Sequence, residues 1–150
     1  MNAGNTFENE ILKLIFQNTD ITGIGDSGGL RGSVTAGSVY VRLCTDAVEV
    51  SDSQIGTECA YTGYVAGGAA VERSASGWSV SGSEIKNVAE VTFGACAAGS
   101  ENVRYMEIWR NNTGTLEAER IAWGQLSSDI AVSVGVTPKF AAESITVTFN

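Results

Sequence analysis

The sequence predicts a mainly β protein: a β-sandwich, with a jelly-roll among the arrangements that fit, preceded by one N-terminal α-helix. Three observations lead there. Helical periodicity occurs once, at about residues 5–18. After Asn18 the texture turns to Gly, Ser, Thr and Val, and short segments alternate apolar with polar residues as half-buried strands do. The turns between them draw on 18 glycines, with a single proline in the chain. Eight or so short strands without later helices argue against an α/β fold.

The helix lies in "NTFENEILKLIFQN". Asn5 is positioned to cap it, and Glu8, three residues on, completes a pattern like a capping box. Phe7, Ile11, Leu14 and Ile15 then share one face, and Leu12 and Phe16 extend the apolar surface round the side. Such a helix needs cover on more than one flank, from its own sheet or from a neighbouring subunit.

Strands follow in order. Val39, Val41 and Leu43 alternate with Tyr40, Arg42 and Cys44; Trp78 and Val80 alternate with serines; Val91 and Phe93 come next. "NVRYMEIW" and "TLEAERIAWG" flank the turn "RNNTG", whose Asn and Gly residues tolerate the positive φ of a hairpin loop. In the second arm the apolar alternation slips between Ala118 and Ile121, the mark of a bulge or bend. Pro138 in "GVTPKF" connects to a last strand, Ile145, Val147 and Phe149, that closes an edge.

Length and composition bound the rest. A chain of 150 residues fits a single domain, 1–150, able to bury roughly 68–70% of the surface its unfolded form exposes. The formal net charge of −8 and nine scattered basic residues argue against nucleic-acid binding, which needs clustered Lys and Arg. Cys44, Cys59 and Cys96 form no CxxC pair and are odd in number, so buried free thiols are expected. The start "MNAGNTFENE" has neither the basic opening nor the apolar run of a signal peptide, and no apolar stretch reaches roughly 18 residues. Synthesis in the cytoplasm and no membrane partner are the expectation, which makes Asn111-Asn112-Thr113 a set of turn residues rather than a glycosylation site.

The stretch "GIGDSGGL", residues 23–30, carries two chemical signatures. Its GDSGG run surrounds the nucleophile of chymotrypsin-like proteases, yet Ser27 needs a base and the chain has no histidine. Gly23-x-Gly25-x-x-Gly28 fits a dinucleotide fingerprint, but here the helix precedes the glycines instead of following them. The carboxylate pairs Asp46/Glu49, Glu84/Glu90 and Glu117/Glu119 read as solvated charges, although Glu117 and Glu119 would face the same way on a strand. Asp20, Asp26 and Asp46 lack the spacing of a calcium loop, and the absence of histidine argues against zinc. No catalytic residue, cofactor or metal site is therefore assigned. Trp78, Trp109 and Trp123, with Tyr61, Tyr64 and Tyr105, sit in alternating segments where core packing accounts for at least half of them; Trp109 and Trp123 are the candidates for exposed, ligand-binding rings.

In order along the chain, "LIF.N", "IGD..GL", "AGS.Y..L.T", "YTGY", "RS..GW.V.G" and "TP.F" resemble a family of small phage virion proteins often labelled tail-fibre proteins. The resemblance covers most of the chain. It implies a structural virion component without catalysis, made in the host bacterial cytoplasm and assembled symmetrically. The leading expectation is a capsid decoration or cement protein that binds the major capsid protein or other virion proteins as a dimer or trimer. Its contacts would come from the helix and the loop from Ile21 to Ala36, with Phe7, Ile11, Leu12, Phe16, Leu30 and Arg31 as candidates. The rival is a tail-fibre or tail-tip protein recognising a host glycan or receptor through Trp109 and Trp123; a carboxylate-based hydrolase using Glu117 and Glu119 ranks third.

Overall fold

The computed structural model describes residues 4–25, 28–46 and 52–149. Its elements are α1 (Asn5–Gln17), β1 (Ser38–Cys44), β2 (Ala69–Glu72), β3 (Trp78–Ser81), β4 (Glu84–Asn87), β5 (Val91–Thr92), β6 (Glu101–Trp109), β7 (Arg120–Val132), β8 (Lys139–Phe140) and β9 (Thr146–Thr148), with a 3-10 turn at Glu117–Glu119. The fold is mainly β, with one helix near the N-terminus and antiparallel sheets in the orders β2-β1-β6-β7 and β3-β4-β9, plus the pair β5-β8. The chain groups into two compact units, one of Met1–Ser38, Val71–Glu90 and Phe140–Asn150, the other of Val39–Ala70 and Val91–Lys139.

In the first unit α1 begins at Asn5 itself, so the N-cap position falls one residue before the expected cap, on Gly4 in extended conformation. It ends at Asn18, which takes the left-handed conformation at φ 56°. The face it buries is rotated from the one the periodicity suggests. Leu12 and Phe16 are 2% and 0% exposed, Ile11, Leu14 and Ile15 are half-buried, and Phe7 is 44% exposed. Phe16 takes the centre because Trp78 on β3 meets it edge-on, with ring centroids 5.3 Å apart, and Phe149 does so at 6.3 Å. Ile85 and Ile145 complete this core.

The last turn of α1 contains no basic residue, and the charge its carbonyls attract arrives from Arg73. The Arg73 guanidinium donates to Ile15 O at 2.6 Å and Leu14 O at 2.8 Å, and its Nη1 reaches Ala36 O and Ser33 Oγ at 3.2 Å. Asn87, fully buried, does similar work for the sheet: its amide donates to Ala89 O and Ala141 O, and its oxygen accepts from Ile145 N, each at 2.8 Å. As the sequence predicts, the last strand lies at a sheet edge, with β9 beside β4.

In the second unit β1 is interior to its sheet, and burial extends to both of its faces. Val39, Val41 and Leu43 are buried, and so are Arg42 at 6% and Cys44 at 0%. Its antiparallel register with β6 runs from Tyr40 opposite Trp109 to Cys44 opposite Tyr105. The expected hairpin is the β6–β7 ladder, but Thr115–Glu119 belong to its connection and strand structure resumes only at Arg120. Ile108 faces Ala122 and Trp109 faces Arg120, so Ile121 is the extra residue behind the slip in alternation. Cys44, Cys59 and Cys96 are free and buried. Burial pushes the thiols of Cys44 and Cys59 well above their usual range.

Candidate functional site

The loop singled out in the sequence is pinched at its neck. Ile21 and Leu30 exchange both backbone hydrogen bonds at 2.8 Å. Gly23, Gly25 and Gly29 carry φ of 78°, 75° and 60°, the left-handed region that side chains avoid. Asp26 and Ser27 lie outside the described residues. Beyond the neck Asn18 acts as a short strand, its side chain accepting from Ser33 N at 2.7 Å and donating to Ser33 O at 2.8 Å. Asp20 Oδ1 accepts from Gly32 N at 2.7 Å. Among the described residues no α-helix follows the glycines, and a pyrophosphate cradle needs one.

Gly29 is irreplaceable for a specific reason: a Cβ there would stand 1.9 Å from Ile21 O, inside the neck. Gly29→Ala is expected to lower stability by at least about 2 kcal/mol, from left-handed strain and displacement of the bridge together. At Gly25 a Cβ meets nothing within 4 Å, so Gly25→Ala should cost only about 1 kcal/mol. Thermal unfolding of the two variants side by side checks the order.

Of the expected assembly contacts, Phe7 at 44%, Leu30 at 41% and Arg31 present surface, and Ile11 is half-buried. Leu12 and Phe16 do not, because they form the interior against Trp78 and offer nothing to a neighbour. Val34, on the same loop, is fully exposed.

The aromatic candidates divide. Trp109 is 0% exposed, which corrects its assignment as a ligand-binding ring: its Nε1 donates to Glu107 Oε2 at 2.8 Å, and the Arg42 guanidinium stacks 4.0 Å from its centroid. Trp123 is 37% exposed, with the Arg120 guanidinium 4.2 Å over its ring. Trp78, Tyr61 and Tyr105 are core residues. Burial pushes the Tyr61 hydroxyl up to about 12, and it donates to Gly94 O at 2.9 Å.

Between the two tryptophans lies a buried polar chain that sequence reasoning missed. Glu107, 0% exposed, accepts on Oε1 from Arg120 Nη1 at 2.8 Å and from Gly56 N at 2.9 Å. Arg120 goes on to Gln54 O and, at 3.1 Å, to Asp52 O, so one ion pair ties the segment before Gly56 to the sheet. Arg42 donates to Gly114 O at 3.0 Å and stands 3.9 Å from Glu58, whose Oε1 accepts from Tyr64 Oη at 2.9 Å and Gly67 N at 2.7 Å. These charges hold loops; each faces a fixed protein partner rather than an open cleft.

The carboxylates weighed for acid–base work are similarly occupied. Glu117 and Glu119 sit on the 3-10 turn, not on a strand. Glu119 accepts from Asn111 Nδ2 and from the backbone of Thr115 and Leu116, and the Asn111 hydrogen bond leads the interactions that hold its carboxyl below the usual range. Asp46 accepts from Thr57 N at 2.6 Å and Oγ1 at 2.9 Å, while Glu49 lies outside the described residues. Glu84 pairs with Lys86 at 2.9 Å, and Glu90 is exposed. Among the described residues no three of His, Cys, Asp and Glu gather as a metal-binding group.

Residues 2–148 match the family described as podophage GP4 fiber I protein gp80. The chain belongs to that family. It is a phage virion structural protein, as the ordered motifs from "LIF.N" to "TP.F" imply, and the gp80 match reaches into both compact units and takes in every described strand and the pinched loop. No curated protein matches the chain.

Proposed function

We propose that the chain is a fibre-type subunit of a phage particle, acting by assembly with copies of itself and with other virion proteins rather than by catalysis. The observation that carries this reading is the gp80 fibre family match over residues 2–148. The geometry supports it: Glu107, Arg120, Arg42, Glu58, Arg73 and Asn87 are all engaged in holding loops and sheets in place. Surfaces remain at Phe7, Leu30, Arg31, Val34 and Trp123. The family's description as a fiber protein supports a virion structural role, and burial of Trp109 removes one of two rings from the glycan reading.

Antibody labelling of intact particles tests the placement. Label on fibres is the expected result. Label spread over the capsid shell would replace this reading with decoration, and particles that lack the chain would end both.

A further inference from the structure

We propose that the outer edge of β7 pairs antiparallel with the same edge of a second copy of this chain, centred on Ala122–Gln125; the inference rests on the reading of the chain as an assembly subunit. β7 is 13 residues long and lies at the end of the order β2-β1-β6-β7, with β6 on one side only. Apart from β6, no described residue hydrogen-bonds to the backbone of Ile121–Val132. An edge of this length is a template for another strand, and proteins that remain apart blunt such edges with charge, proline, bulges or brevity.

The remaining edges of the two larger sheets are blunted by brevity: β2 and β3 have four residues each and β9 has three. β7 is protected over only part of its length. Val103 faces Ile130 and Tyr105 faces Gln125, so Leu126–Asp129 bulge against Arg104 alone, fixed by the Arg104–Asp129 ion pair at 3.2 Å. Ala122–Gln125, by contrast, keep unbroken register with Ile108, Glu107, Met106 and Tyr105. From Ile121 to Ser128 no side chain ionises and none is proline.

Charge points to a second copy as the occupant. At a net charge of −8, like chains repel over most of their surface, and an uncharged edge is where two of them approach at least coulombic cost. A two-fold axis makes the edge complementary to itself, because antiparallel strands supply donors opposite acceptors. Trp123, at 37% exposure, gives the contact an aromatic anchor.

Sedimentation of the full chain from micromolar to millimolar concentration tests this, beside the double variant Gly124→Glu with Gln125→Glu. A Cβ at Gly124 meets nothing within 4 Å and Gln125 is exposed, so the variant should fold, as its far-UV circular dichroism will show. Ala141→Glu with Ala142→Glu, both exposed, adds the same charge elsewhere. The expected result is a self-associating wild type and control, with association weakened about tenfold or more in the edge variant. A wild type that stays monomeric, or an edge variant that associates as the control does, overturns the pairing. Neither outcome touches the fibre reading, which is tested separately by where the chain lies on the particle.

Discussion

Glu107→Ala is expected to destabilise the chain by about 3–5 kcal/mol, the range for removing one partner of a buried ion pair. The carboxylate is 0% exposed and is the shared acceptor for Arg120 Nη1, Gly56 N and Trp109 Nε1. Its loss takes the 2.8 Å ion-pair partner from a guanidinium whose side chain is 1% exposed and removes the acceptor of two further buried donors. The urea midpoint should fall with little change in slope. Glu107→Gln, which keeps an acceptor but not the charge, should lie between. Glu107→Leu combined with Arg120→Leu should recover much of the loss, because an apolar pair does not incur the desolvation of a buried charge deprived of this ion pair. A loss below about 1 kcal/mol for Glu107→Ala would mean that the pair is as weak as a surface one.

Asn87→Ala should cost about 3 kcal/mol, from unsatisfied partners rather than lost volume. It strips Ile145 N of its acceptor and Ala89 O and Ala141 O of their donor, all within the first unit. Asn87→Asp separates the two roles: it keeps an acceptor for Ile145 N but turns repulsive toward both carbonyls once ionised. Burial raises the folded-state pKa of such a carboxyl above the unfolded value of about 3.9. The folded form then binds more protons, so this variant loses stability as pH rises through that window. Unfolding midpoints at acid and neutral pH check the sign; a variant equally stable at both would contradict the buried geometry.

Much of the fold was legible because period and turn chemistry agreed. One helix, short alternating segments and the RNNTG turn give α1, the strands and the β6–β7 hairpin, and even the slip near Ile121 has its counterpart in the register. The helix face was less legible. Six apolar residues wrap α1, and which of them turn inward is decided by Trp78 and Phe149, far along the chain. Trp109 and Trp123 look alike in sequence, each an aromatic in an alternating strand. They part because β6 is flanked by β1 and β7 whereas β7 ends the sheet.

The polar network left one trace. Val103, Tyr105, Glu107 and Trp109 share a phase on β6, and a glutamate in an otherwise buried phase calls for a partner. That its partner is Arg120, across the hairpin, follows only from the bulge at Ile121, which offsets the register at that end. Arg73 left none, because the helix it caps ends more than fifty residues earlier. The motifs of the phage virion family were the legible part of function, since surfaces for assembly are defined by exposure and by sheet edges, which no local pattern reveals.

The most direct measurement is a reconstruction of the intact particle at a resolution that traces strands. The expected result is density for this chain within the fibres, in copies related by two-folds along β7, with Trp109 inside each subunit and Trp123 at the contact. Density on the capsid lattice, or none anywhere on the particle, would contradict the account.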